Sequence, residues 1–125
     1  MIGCDIVKID RFKDLAENES FLKKYFAVSE IEYIKTKAKK AQTIAGLFAC
    51  KEAFLKAIGL GIGKGLPLFQ IEILHDKNGA PNINFTPEIN YYVSKLALSK
   101  VSVSISHDGD YAFAVCQIDW KVNKN

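Results

Sequence analysis

The sequence predicts an α+β fold: a single domain over residues 1–125, with a largely antiparallel sheet packed against a long central helix. Three observations carry this. The segment from Ala41 to Ile58 is rich in Ala, Leu, Phe and Lys, lacks proline and stops at Gly59, as a long helix does. Strand-like segments outnumber those available as helical crossovers. The turn signals Asn78-Gly79 and Asp108-Gly109 join such segments directly, a connection that antiparallel neighbours permit.

Taken in order, Ile2 to Ile9 is apolar and β-branched and reads as a strand interrupted by Asp5. Asp10 to Glu17 predicts a short helix, and Ser20 to Tyr25 opens another. Ser29, three residues before Glu32, has capping-box spacing for a helix running to about Lys37. In the long helix Ile44, Leu47, Phe48, Leu55 and Ile58 recur at steps of three and four, giving one apolar stripe. A glycine-rich loop, Gly59 to Gly65, follows. Phe69 to Leu74 and Pro81 to Phe85 predict a hairpin, and Pro87 to Ser99 a helix with proline in its first turn. Val101 to Ser106 and Tyr111 to Ile118 predict the closing strands, with Ala112 and Ala114 on one face. No repeat, low-complexity stretch or linker interrupts this order.

With 49% hydrophobic and 25% charged residues, the composition argues against disorder. A chain of 125 residues buries roughly two-thirds of its unfolded surface, enough to fold without cross-links. The net charge of +3 does not demand nucleic acid but suits an acidic partner or a phosphate-rich ligand. Cys4, Cys50 and Cys116 are odd in number and form no CxxC pair, so neither a disulfide framework nor a zinc site is expected and a reducing cytoplasm suits them. No signal peptide or membrane-spanning run is visible.

Few residues stand out for chemistry. Asp5, inside an apolar strand, needs a partner if it is buried; a structural hydrogen bond and a metal site both answer that need. Glu52 and Lys56 lie four apart on the long helix and share a face, as a surface ion pair also would. Lys51 is rotated from Glu52 by about 100° and points elsewhere. The glycine loop fits neither a dinucleotide fingerprint, since the helix precedes it, nor a P-loop, since Lys64 is followed by Gly65. What it offers is pliable backbone and a lysine for a phosphate, or simply a loop. Ser106 and His107 are neighbours on a strand and diverge, which excludes a direct Ser–His pair; His107 shares a face with Val103 and Ile105. His75-Asp76, before the Asn78-Gly79 turn, reads as solvated. Lys35, Lys37, Lys39 and Lys40 form a basic stretch, a solvated face or a phosphate contact.

In combination these segments are specific. Gly3-Cys4-Asp5-Ile6-Val7, the run from Ala45 to Gly59 with its Lys51-Glu52-Ala53 and Lys56-Ala57, and Gly61-Ile62-Gly63 resemble the holo-acyl-carrier-protein synthases. So do Phe69 to Ile73 with Asn78-Gly79-Ala80-Pro81, and Val103 to Asp108 with Tyr111 to Ala114, in the same order over nearly the whole chain.

The resemblance implies transfer of 4′-phosphopantetheine from coenzyme A to a serine of an apo-acyl carrier protein, releasing adenosine 3′,5′-bisphosphate. It implies Mg²⁺ held by Asp5 and Glu52, and Lys56 on a phosphate oxygen. Catalytic roles fall to Glu52, acting through a water, to Lys56, and to His107 assisted by Asp108; Ser106, His107 and Asp108 also position substrate. Lys64 and Gly65 would approach the phosphates. Leu47 stands where some close relatives carry a basic residue, so Lys39 or Lys40 is expected to take the 3′-phosphate. Arg11, Lys23 and Lys24 would dock the acidic carrier, and the family commonly forms homotrimers. Two other functions fit isolated features. A metal-dependent phosphodiesterase would use the same carboxylates, but commonly with Glu-x-Lys on a strand. A non-catalytic nucleotide- or RNA-binding module would present a basic, aromatic strand face, whereas Ser102, Ser104 and Ser106 form the face here.

Overall fold

In the computed structural model of the chain, which describes residues 1–59 and 66–121, the long helix α3 occupies Lys40–Ala57 and the rest is arranged around it. The other elements are β1 (Ile2–Lys8), α1 (Glu19–Tyr25), α2 (Val28–Lys35), β2 (Glu72–His75), β3 (Pro81–Asn84), α4 (Pro87–Val93), β4 (Leu98–Asp108) and β5 (Tyr111–Trp120). The glycine loop, with Lys64 and Gly65, lies outside the described residues apart from Gly59.

The main sheet has the order β1-β5-β4 and is antiparallel throughout; β2 and β3 form a separate hairpin. The two tight turns sit where expected, with Gly79 at φ 86° and Gly109 at φ 56°, backbone angles that favour glycine. One sheet face covers α3. Gly3, Asp5 and Val7 of β1, Ala112, Ala114, Cys116 and Ile118 of β5, and Val101, Val103 and Ile105 of β4 point that way, as period-two alternation requires.

Helix α3 is not amphipathic. Every residue from Ile44 to Leu55 is buried, because the sheet covers one side while α1, α2 and the turn before β2 cover the other. The expected single stripe is therefore only part of its buried surface. Gly46, Ala49, Ala53 and Ala57, at steps of three and four, form a small-residue face.

Several boundaries differ from expectation for local reasons. Asp10 to Glu17 is not a helix; a 3₁₀ turn covers Ile9–Phe12 and irregular turns follow. Helix α2 begins two residues earlier than Ser29 implied. Glu30, not Glu32, closes on the N-terminus by accepting the Ala27 N–H at 2.8 Å. Ser29 instead donates to Glu72 Oε2 at 2.6 Å. Leu68–Gln70 is a 3₁₀ turn rather than a strand. Helix α4 is capped by Thr86, which accepts the Ile89 N–H, but stops at Val93 because β4 begins at Leu98 and pairs with Trp120. Long-range pairing there overrides local helical preference.

Candidate active site

The site begins with a glycine. A Cβ on Gly3 would collide with the Ala53 carbonyl oxygen and stand 2.6 Å from the Ala57 nitrogen. Only glycine lets β1 lie flush on α3. Two residues on, on the same strand face, Asp5 reaches the next turns of the helix.

There Lys56 Nζ donates to Asp5 Oδ1 at 3.0 Å and to the Cys4 carbonyl at 3.1 Å. Lys56 therefore pairs with Asp5 across the strand–helix seam rather than with Glu52 along its own helix. The hydrogen bond from Lys56 to Asp5 raises the lysine's pKa, so it stays a cation at neutral pH. Glu52 is only 7% exposed, and its Oε1 is buried with no hydrogen-bond partner among the described residues. Burial, and then the charge of Asp5, push its carboxyl above the ordinary range, while Lys56 and Arg11 pull it back. A buried carboxylate oxygen without a donor, facing a second carboxylate, is costly unless a cation completes it.

These residues fit Mg²⁺, which takes oxygen ligands and often uses one or two carboxylates beside phosphates and water. Among the described residues no three His, Cys, Asp or Glu side chains converge, so this is a two-carboxylate arrangement rather than a full protein cage.

Two recesses flank this centre. The larger, about 790 Å³, is an apolar groove between α1, α3 and the turn after residue 66, walled by Phe21, Tyr25, Phe48, Leu66 and Leu68. Arg11 stands at it with its guanidinium 5.4 Å from both the Phe12 and Phe48 ring centres; Lys24, also lining it, lies 5.3 Å over Tyr25. Lys23 shares the last turn of α1. The sequence marked these cations but not the groove, whose walls come from three separated segments.

The smaller recess, about 170 Å³, holds His107. Gly46 opens it: a Cβ there would sit 2.9 Å from Ile105 Cγ2 and 3.0 Å from His107 Nε2. Its far wall is a parallel stack of Tyr33 on His75, centroids 4.0 Å apart, with Lys37 Nζ 4.5 Å over the tyrosine. His75 is thus not merely solvated; burial and Lys37 lower its pKa. Asp76 does serve the turn, accepting the Asn78 and Ala80 N–H groups. Lys40 donates to the Lys37 carbonyl, Lys39 precedes the first turn of α3, and Lys37 lies over the Tyr33 ring at the edge of this stack. Ser106, exposed, pairs with Phe113 and points to the opposite sheet face, and Asp108 ends the strand. Gly46 and Glu52 are six residues apart on α3, about 9 Å along its axis, so His107 does not share the carboxylate cluster. Alanine at Gly46 would gain helix propensity, about 1 kcal/mol, but must push the imidazole aside. We expect Gly46→Ala to keep the melting temperature nearly unchanged while the His107 ring signals shift in the NMR spectrum, because the added methyl crowds Ile105 and the imidazole.

The sequence also missed Lys51. It is fully buried, 2.6 Å from Glu30 Oε1, and bonded to the Tyr25 and Leu68 carbonyls at 3.0 and 2.9 Å. Burial lowers the lysine's pKa and raises that of Glu30.

A small α+β domain with paired carboxylates and a lysine on one helix–strand seam belongs to a recognisable class. Residues 1–116 match the 4′-phosphopantetheinyl transferase superfamily. Within it, the chain belongs to the holo-[acyl-carrier-protein] synthase family. It is 40% identical over 119 residues to the holo-[acyl-carrier-protein] synthase of Geobacter metallireducens, covering 94% of each chain. The Helicobacter pylori enzyme in complex with coenzyme A superposes with a TM-score of 0.81 at 38% identity, over 95% of this chain and 100% of that one. The Neisseria meningitidis enzyme gives 0.85 at 30% identity, over 94% and 96%.

Proposed function

We propose that this chain is a single phosphopantetheinyl transferase domain that moves 4′-phosphopantetheine from coenzyme A to a serine of an apo-acyl carrier protein. The observation that supports this most is the unpartnered, buried Glu52 Oε1 beside Asp5 and Lys56, in a chain similar throughout to a synthase crystallised with coenzyme A. Asp5 and Glu52 would hold Mg²⁺, which supplies charge neutralisation at the pyrophosphate. Lys56, 54% exposed at its side chain, presents its ammonium to a phosphate oxygen and stabilises the transition state. The serine oxygen forms a new bond to the pantetheine-bearing phosphorus. The bond from that phosphorus to the bridging oxygen breaks, and the oxygen departs with adenosine 3′,5′-bisphosphate. The serine proton passes to a base, a role we give to Glu52 acting through a water. His107, with the Tyr33–His75 stack, positions the nucleotide end, and Asp108 at the end of the strand would assist from its rim. Lys39 or Lys40, with Lys37 over Tyr33 beside them, would make the 3′-phosphate contact that Leu47 lacks the charge to make.

Arg11, Lys23 and Lys24 beside the apolar groove suit an acidic carrier helix with apolar side chains. Arg11→Glu is expected to raise the carrier KM by about tenfold or more, with a shallower dependence on salt than the parent shows, and to leave coenzyme A affinity intact. Equal losses in both would contradict docking there. The outer sheet face leaves Ile2, Ile6 and Phe113 exposed at 69, 61 and 42%, which supports self-association on that face, and a homotrimer is the assembly the family resemblance implies. No described helix is long and apolar enough to cross a membrane, and Cys4, Cys50 and Cys116 are free, which suits the cytoplasm.

The test is intact-mass analysis of apo-carrier incubated with this protein, coenzyme A and Mg²⁺. A gain of one phosphopantetheine, abolished by EDTA, is the expected result. No gain with several carriers while coenzyme A still binds would replace a transferase by a binding module.

A further inference from the structure

Lys51 is the one fully buried cation among the described residues, and the transfer chemistry does not use it. Its three N–H donors meet three acceptors, the Tyr25 carbonyl, Glu30 Oε1 and the Leu68 carbonyl, so the ammonium is saturated. Those acceptors lie on three separate segments. Tyr25 ends α1, Leu68 opens the 3₁₀ turn before β2, and Glu30 sits in α2. Glu30 extends the hold by accepting the Ala27 and Ile73 N–H groups at 2.8 and 3.2 Å. The Phe26 ring lies over the ammonium at 4.8 Å and closes it from solvent.

Tyr25 and Leu68 both line the Arg11 groove, as does Phe48, on the same helix as Lys51. Two segments that line the groove are therefore fastened to one ammonium. Main-chain carbonyls are the fastened atoms, so the positions of whole segments, not single rotamers, depend on it. Structural lysines are ordinarily solvated and flexible. A stability role alone would be served as well by an apolar side chain of similar volume, since buried ion pairs often add little net stability.

We propose that Lys51 is a positioning residue that sets the relative placement of two groove-lining segments and thereby the affinity for the carrier protein. This rests on the groove being the carrier's docking face. It makes no demand on the carboxylate pair or on the His107 recess, which lie on other faces of α3.

The test uses direct binding, with titration calorimetry of apo-acyl carrier protein and, separately, of coenzyme A. Lys51→Met with Glu30→Gln removes both charges and keeps volume. Carrier affinity is expected to fall by about tenfold or more, with coenzyme A affinity within about twofold of the parent, because a wall displaced by a fraction of an ångström loses complementarity. Glu30→Gln alone keeps both carbonyl bonds and is expected to bind carrier within about twofold of the parent, which separates wall position from general loosening. Lys51→Arg, charged but with a planar and bulkier head, covers the case in which the double variant does not fold, and is expected to show the same split. Unchanged carrier affinity in the Lys51 variants that fold, or parallel loss of both ligands, overturns the proposal while leaving the functional reading intact. A parent protein that binds coenzyme A but no carrier overturns the docking reading and this proposal together.

Discussion

Replacing Glu52 by glutamine is expected to lower transfer by about 10²–10³-fold while making the metal-free protein more stable. The two effects come from one atom. Glu52 Oε1 is buried without a donor, and the neighbouring Asp5 charge adds to the penalty. An amide of the same shape carries no charge, so the metal-free fold should gain about 1 kcal/mol. The pH dependence has a definite sign. With its folded pKa raised above the ordinary 4.5, Glu52 retains a proton in the folded state where the unfolded chain has lost it. Its contribution therefore favours folding at low pH and is lost as pH rises above 4.5 through the folded value. Glu52→Gln should lack that fall. Mg²⁺ should raise the melting temperature of the parent and not of the variant, because only a state with a completed site gains from binding. Calorimetry with and without Mg²⁺, beside the intact-mass assay, reads all three effects. A variant that transfers normally, or a parent indifferent to Mg²⁺, would remove Glu52 from the metal site.

Gly3→Ala is expected to be among the most destabilising single changes in the chain, about 3 kcal/mol, or a fall in Tm of roughly 10 °C. Strand propensity alone predicts the opposite sign, since alanine costs less backbone entropy than glycine by about 0.5–1 kcal/mol. The close approach wins because the obstacles are the Ala53 carbonyl oxygen and the Ala57 nitrogen, backbone atoms of a buried helix that have no rotamer to change. Strand β1 must lift, and the Lys56–Asp5 contact of 3.0 Å must lengthen with it. Transfer should fall at least tenfold, on the order expected for misplaced reacting groups, at temperatures where the variant is still folded. Thermal unfolding and activity measured together decide this. A Tm within about 2 °C of the parent would mean that the strand and helix can separate at little cost.

How legible each part was depended on whether its cause is local. Helix α3, the two glycine turns and the closing hairpin rest on propensity, turn chemistry and alternation, which neighbouring residues carry. The end of α4 and the turn at Leu68–Gln70 were misread because their limits are set by Trp120 pairing with Leu98 and by Lys51 holding the Leu68 carbonyl. The early start of α2 escaped notice because its N-cap is Ala27, which has no capping side chain; only the Glu30 half of the box is present. The spacing of Glu52 and Lys56 was legible, but an ion pair between them was equally allowed until Asp5 took the lysine. For Lys51 the helix geometry showed only that it points away from Glu52; its burial gave no signal, since a lysine in a helix is ordinarily exposed.

By itself the sequence determined the class of fold, the order of its elements and, through the resemblance of whole motifs, the family, because those follow from patterns running along the chain. Only the tertiary structure decided which groups meet: Asp5 with Lys56 beside Gly3, Glu52 with an oxygen left unsatisfied among the described residues, His107 over Gly46 against the Tyr33–His75 stack, and Lys51 with Glu30 and the carbonyls of Tyr25 and Leu68. The reason is physical. A charge's partner, its burial and hence its pKa depend on atoms brought near by packing, and the two glycines that permit the closest packing act through the side chain they lack.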